Sequence, residues 1–408
     1  MITADSDRAV QHPKGLAMFE KTSDRMLDRR SFMKLAGGTA LGAALIDLNP
    51  RAIDKAFAAA PDIPAIKARF AMVSYPNHTW PIIGVRNGFF QDVGISLDPA
   101  DGRIVFENQT VPLLQNKEED VSTIFVGVLT PVLDKIKTIR PFLVHSYWQG
   151  NTILTSFAGM KLEDSDLVIL EDPNAVQLAV SGGVPFSAPA GAAQIYQLQY
   201  QANWRPLIST RQLVKYAGGP DGAPVQKILN FDGFAATTDY IAANKDTIHR
   251  FNSVLYRTMA AMFGPDQRAE LEKQVPFVNA ANGSSLDAPA IKFIFTELDP
   301  FFPWDAQARL WKDVGDPLYY KNVYDYQVKK FIEDKTIAPG DYDLDALFPA
   351  RAIWMEALAM REKAAALAEK ASSAKLPDDK KALAEAGKAW AAKLNFLDAT
   401  RFLEASLA

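Results

Sequence analysis

From Ile66 onward the chain alternates short apolar runs of strand length with amphipathic segments of helix length, which restricts the fold more than any other feature. Ala68 to Ser74, Gly94 to Leu97, Val121 to Val126 and Phe142 to Tyr147 read as buried strands. Between them, Thr79 can cap a helix running towards Phe90, and Val111 to Lys117 and Thr130 to Lys137 read as further helices. Strand and helix in turn specify an α/β fold with a mostly parallel sheet. The theme repeats with strands at Asn151 to Phe157, Val176 to Val180 and Gln212 to Tyr216, and a helix from Pro189 to Asn203. Lys161 to Asn174 is acidic and reads as a surface excursion, and Gly218 to Pro224 as a loop. Ile228 to Ala236 reads as a strand with a turn at Asp232-Gly233, and from Asp239 the pattern is helical. The Ala/Leu/Lys/Glu-rich stretches Ala350 to Ala371, Pro377 to Leu394 and Leu397 to Leu407 have helical periodicity. They are expected to pack as an appendix on the main body, with a partner-binding helix pair as the alternative.

The N-terminal 60 residues read differently. Arg29-Arg30-Ser31-Phe32-Met33-Lys34 is followed by a moderately apolar stretch, Leu35 to Leu48, and by the small-residue run Ala56 to Ala60. Charge, short apolar core and A-x-A exit, in that order, make an export signal. The pair Arg29 and Arg30 resembles the twin-arginine (Tat) consensus, departing from it at Asp28, where Ser or Thr is usual. Cleavage after Ala58 fits best; cleavage after Ala60 would put Pro61 at the first mature position. Met18 or Met26 is a candidate start that would shorten the charged leader.

Composition narrows the function. The chain has 408 residues and a formal net charge of -4, so no electrostatic argument favours nucleic acid. It has no cysteine, which removes disulfides, thiolate nucleophiles, iron–sulfur clusters, Cys-based zinc sites and a lipoprotein anchor together. Four histidines, at 12, 78, 145 and 249, make a His-rich metal site unexpected, and no cofactor is expected.

Three segments carry a family resemblance. Gly88-Phe89-Phe90-Gln91-Asp92-Val93-Gly94-Ile95-Ser96-Leu97 resembles the G-F-F segment of solute-binding proteins of ABC importers, especially those for aliphatic sulfonates, taurine, nitrate and the thiamine-precursor pyrimidine. Thr238 to Phe251 is similar to a later segment of that family, with Lys245 in place of a proline. Gln327 to Ile337 is similar to a helix ending in a glycine turn, with Lys335 in place of the glycine. The family's usual lead-in before Val180 is not legible.

The resemblance implies a two-lobed periplasmic binding protein type II fold with a C-terminal helical appendix. On that reading residues 1–60 are the leader, 66–150 and 233–345 form lobe I with a helical extension, 151–232 form lobe II and 346–408 the C-terminal helices. Ligand sits between the lobes, at loops following the carboxyl ends of strands. Candidate ligand-binding residues are Ser74, Tyr75, Asn77, His78 and Trp80 after the first strand, Gly127 after the third, and Tyr147 and Trp148 near the crossover. An ordinary loop over a buried Trp80, and core packing of the two later aromatics, are the plainer readings of these. Ser181, Gly182, Gly183 and Ser187 form a Gly/Ser loop suited to an anion or polar ligand, or a plain turn. Asp232 can hold a ligand amine or cap a turn. No catalytic residue and no metal ligand is assigned.

The implied function is capture of a small anionic or polar organic solute in the periplasm and its delivery to an ABC permease. The expected partners are that solute, the permease and, during export, the Tat translocase; a monomer is expected. The alternatives are an exported enzyme or a periplasmic adaptor on the same fold. No G-x-S-x-G elbow or H-E-x-x-H motif is present.

Overall fold

The structure, a computed structural model, describes residues 50–150, 152–155, 172–184, 186–189, 191–216 and 229–408. Arg29, Arg30 and the apolar core of the leader lie outside the described residues, as do Asn151 and most of the acidic excursion.

The fold is α/β with two unequal sheets. The larger has five strands in the order β2-β1-β3-β8-β4: β1 Ile66–Val73, β2 Ile95–Val105, β3 Val121–Phe125, β4 Ile139–Trp148 and β8 Asn230–Thr237. β1 pairs parallel with β2 and β3, while β8 runs antiparallel to both β3 and β4. β4 therefore points the same way as β1 and β3. β4 is buried along its whole length, and its outer edge is covered by the segment around residues 297–307. There Tyr147 and Gln149 donate their amides to the carbonyls of Pro300 and Leu298, and Gln307 Nε2 donates to the Val144 carbonyl. Covering an edge in this way removes a row of unpaired backbone groups. The smaller sheet has the order β6-β5-β7, from β5 Thr152–Thr155, β6 Phe186–Ser187 and β7 Arg205–Ser209.

Several local expectations are corrected. Asp172–Val180 is a helix, not a strand at Val176 to Val180, and Thr210–Tyr216 is likewise helical. Short apolar runs do not distinguish a strand from a buried helix turn. The first helix after β1 begins at Pro76, so Thr79 lies inside it rather than capping it. Only a single 3-10 turn, Thr130–Val132, occupies the helix expected from Thr130 to Lys137. Asp232-Gly233 is not a turn: β8 runs straight through it, pairing Gly233 with Ile124 on one side and Val144 on the other. Glycine is required there because a Cβ would sit 2.3 Å from the Leu143 carbonyl oxygen.

Helices fill the rest. We label α1 Pro50–Ala59, α2 Pro76–Thr79, α3 Glu107–Gln115, α4 Asp172–Val180, α5 Ala192–Tyr196, α6 Lys245–Met262, α7 Tyr320–Glu333, α8 Pro349–Ser373, α9 Asp378–Ala392 and α10 Phe396–Leu407. The C-terminal helices are not a loose appendage: Trp390, Phe402 and Leu403 belong to the same apolar core as Phe70, Phe234 and Phe251 beneath the large sheet. α1, which ends within the expected leader, packs on α9 with Ala56 wholly buried. No helix among the described residues is long and apolar enough to cross a membrane.

One ion pair fastens the C-terminal helices to the core. Arg250 on α6 donates Nε to Asp398 Oδ2 at 2.9 Å and Nη2 to Oδ1 at 2.8 Å, with both side chains fully buried. Asn395 Nδ2 donates to the same carboxylate at 2.7 Å. A buried pair adds little net stability, but removing one member strands the other charge. Asp398→Ala should therefore cost about 3–5 kcal/mol of unfolding free energy, measured by urea denaturation. A loss below about 1 kcal/mol, the scale of an exposed pair, would show that the pair is open to solvent.

Candidate functional site

The carboxyl ends of the parallel strands and the start of the antiparallel β8 meet at one edge of the large sheet, the usual position for a ligand in open α/β sheets. A cavity of about 130 Å³ opens there. β1 runs into the segment that supplies Tyr75, Asn77 and His78; β2 runs into α3, whose first residue is Glu107. Phe125 ends β3 and Trp148 ends β4. Asp232 enters from β8, paired in register with Phe125 and Ser146. Gly191 and Ala192, at the start of α5 between β6 and β7 in the chain, complete the lining.

The segment 74–79 is held from behind by helices of the large body. Gln274 Nε2 donates to the Pro76 carbonyl at 2.7 Å and to Thr79 Oγ1 at 3.0 Å, and Asn282 Nδ2 donates to the Ser74 carbonyl. His145, wholly buried on β4, donates Nε2–H to the Asn77 carbonyl at 2.8 Å. Burial pushes the His145 imidazole well below its ordinary range and neighbouring His78 adds to this, so His145 is neutral and acts as a fixed donor.

Behind the cavity wall lies a chain of buried titratable groups. His78, 1% exposed, donates Nε2–H to Asp232 Oδ1 at 3.0 Å, and Ser146 Oγ approaches Oδ2 at 3.5 Å. Asp299 is completely buried and hydrogen-bonds, carboxyl to carboxyl, with Asp232. Burial first, and the charge of Asp232 second, hold the Asp299 carboxyl well above the usual carboxylate range. Burial thus favours the protonated form of Asp299. Among the described residues no cluster of His, Asp and Glu is suited to a metal ion.

Five of the sequence-derived candidates, Tyr75, Asn77, His78, Trp148 and Asp232, line this one cavity. The others lie elsewhere. The Ser74 side chain does not line it, although its carbonyl anchors the loop. Trp80 is fully buried, its ring edge-on to His145, Phe234 and Phe301, and supports the cavity from beneath. Tyr147 packs on Phe302, and Gly127 lies beyond Phe125 in a 3-10 turn. Ser187 sits on the short strand β6, paired with Leu154.

Ser181, Gly182 and Gly183 are exposed and follow a helix, not a strand. Gly182 has φ +79° and donates its amide to the Ala179 carbonyl, while Gly183 donates to the Leu178 carbonyl. That is the Schellman closure of a helix C-terminus, where left-handed glycine is favoured. A helix C-terminus presents carbonyls and the negative end of the dipole, the opposite of an anion-binding helix start.

Sequence reasoning missed Glu107, Phe125, Gly191 and Ala192, and the partners behind the wall, His145, Ser146 and Asp299. Phe125 and Glu107 follow from the strand-end rule once β3 and β2 are given their true ends; β2 extends to Val105 rather than Leu97. Asp299 has no local signal, because only the covering of the β4 edge brings it to Asp232.

No family model matches the chain, and no curated protein does. Among solved structures it is similar to the periplasmic aliphatic sulphonate binding protein SsuA from Escherichia coli, with 12% identity, 72% of this chain and 99% of that chain covered, and a TM-score of 0.48. The alkanesulfonate-binding protein SsuA from Xanthomonas axonopodis pv. citri bound to MOPS aligns at 11% identity over 69% of this chain and 96% of that one, TM-score 0.46. A ligand-binding component of an ABC-type import system from Staphylococcus aureus aligns at 10% identity over 71% and 98%, TM-score 0.47.

The Asp299 carboxyl has a consequence for stability. Its folded-state pKa lies above its unfolded one, so the folded protein holds the extra proton. The stability it contributes is complete below the ordinary carboxylate range, around pH 4, and is lost as pH rises towards the folded value. Asp299→Asn, which mimics the protonated acid, should lower this dependence: its melting temperature should fall less than the parent's between about pH 4 and 7. Parallel pH profiles would show that Asp299 is ionised in the fold. In its chain course the protein is similar to the periplasmic solute-binding proteins of ABC importers.

Proposed function

We propose that this protein captures a small solute between two lobes, outside the cytoplasm, and delivers it to an ABC permease. The observation that carries the reading is the cavity itself: it lies at the strand carboxyl ends and is lined both by residues of the large sheet and its loops, Tyr75, His78, Trp148 and Asp232, and by Gly191 and Ala192 from the segment that carries the small sheet. The chain crosses from β4 to β5 and returns in β8 beside it, so hinge closure would change the cavity directly. Residues 66–150 and the segment from Asn230 form one lobe on this reading, and the small sheet the core of the other.

An enzyme on the same fold is favoured by one feature, the raised Asp299 carboxyl, since such groups gather at active sites. Asp299 lies behind Asp232 and does not line the cavity, so it is not placed to reach a substrate there.

Capture is tested by small-angle scattering and thermal shift on the purified protein with a small-molecule library. A binder gains stability as RT ln(1 + [L]/Kd) and compacts on closure. A compound that raises the melting temperature without altering the radius of gyration would argue for a rigid site. Conversion of a library compound to product would argue for the enzyme.

Export is tested separately. Replacing Arg29 and Arg30 by Lys should leave the precursor in the cytoplasm, because a planar guanidinium and an ammonium are not equivalent in recognition. Undiminished periplasmic protein in the double variant would remove the Tat route.

A further inference from the structure

We propose that the folded chain hides its own cleavage site: α1 stays with the protein as a clasp on the C-terminal helices, and the A-x-A exit at Ala56 to Ala58 is not cut once the chain has folded. The inference goes beyond solute capture and rests on reading residues 1–60 as an export signal. In sequence, Ala56-Phe57-Ala58 suits a signal peptidase because its first and third residues are small. The same alanines suit a helix, since Ala has the highest helix propensity. The structure makes the second use of them: α1 runs from Pro50 to Ala59, through all three residues.

A helix of 10 residues is marginal in water on its own, so α1 depends on what it packs against. It lies on α9, with Ala56 wholly buried and Phe57 packed against the large apolar core to which Trp390 of α9 belongs. The chain beyond α1 is pinned too. Ala60 donates its amide to the Phe57 carbonyl at 3.3 Å, and both Ala60 and Ile63 are buried. A Cβ on Gly94 would come 2.5 Å from the Pro64 carbonyl oxygen and 3.1 Å from the Ile63 side chain, so the two backbones pack closely there. Ile66 then donates its amide to the Gly94 carbonyl at 2.8 Å as β1 begins. α1 is thus continuous with the sheet rather than a tail hung from it. A protease works on several residues in extended form, so a cut after Ala58 requires α1 to open first. Removing α1 would also return to water the apolar surface that it covers on α9. A chain that folds before it meets the peptidase therefore keeps α1.

Elastase, which accepts small residues, tests the masking on the purified full-length protein without any need for export. Cleavage after Ala58, followed by mass spectrometry, should be slow in the parent and at least tenfold faster in Ala56→Lys, which puts a charge at a wholly buried position. Lys55→Gln, at an exposed position of the same helix, should cleave like the parent. Ala56→Ser, a milder change in the same direction, serves where Ala56→Lys fails to fold. Rapid cleavage of the parent, or equal rates in the parent and the Ala56 variants, would overturn the proposal. In cells, the periplasmic protein should contain residues 50–60 both in the parent and in Ala58→Leu, whose large residue spoils the A-x-A exit. A parent N-terminus at Ala59 that is lost in Ala58→Leu would overturn the proposal and leave export standing. Absence of the parent from the periplasm would count against the export reading alone, since the elastase rates decide the masking.

Discussion

The site depends on the hydrogen bonding of β8 between β3 and β4. Without that strand the sheet is two halves of chain, residues 66–125 and β4, with nothing between them. β8 arrives after a long excursion through the small sheet and runs antiparallel, so its first residues, not its last, lie at the carboxyl edge of its neighbours. That reversal puts Asp232 level with Phe125 and Ser146, within reach of His78 from the end of β1. The close packing at Gly233 against Leu143 fixes the register. A one-residue slip would turn Asp232 to the other face of the sheet.

The charge problem at that edge is solved in layers. Asp232 is 1% exposed, and a polar group so buried depends on its hydrogen-bond partners. His78 donates to it from the cavity side, and Ser146 approaches it from β4. Burial first and the adjacent Asp232 second favour the protonated form of Asp299, because two adjacent buried carboxylates cannot both ionise cheaply. His145, neutral and donating to the Asn77 carbonyl, ties the loop to the sheet without adding charge.

The helices after β8 do more than cover the sheet. α6 supplies Arg250 to the C-terminal helices, and the helical segment after it supplies Gln274 and Asn282 to the site loop. The Trp304 ring packs against Trp354 of α8 and Phe396 of α10, joining the covered β4 edge to the C-terminal helices. A partner-binding role for those helices would have to use their outward faces, since the inward faces are spent on this packing.

How much of this was legible depends on whether a residue answers to its neighbours in sequence or in space. β1, β3, β4 and the three C-terminal helices were readable because burial along one segment writes a period into that segment. Loop residues such as Tyr75 and His78 were readable because they follow a strand end. The small sheet was not: its strands are two to five residues long, and α4 carries the same apolar letters as a strand. The Gly/Ser loop was misread for the same reason, as a strand-to-helix turn when it closes a helix. The substitutions within the family resemblance show the converse. Lys335 has φ +59°, and the amides of Lys335 and Thr336 donate to the carbonyls of Ile332 and Phe331, closing α7 as a Schellman turn. A lysine thus holds the left-handed backbone geometry that glycine favours, at a cost of about 1 kcal/mol. Lys245, in place of the proline, stands at the first position of α6, where proline is favoured only because the amide there needs no helical partner. At both places the backbone geometry forms without the residue type that most favours it, so the physical requirement is a better guide than the letter.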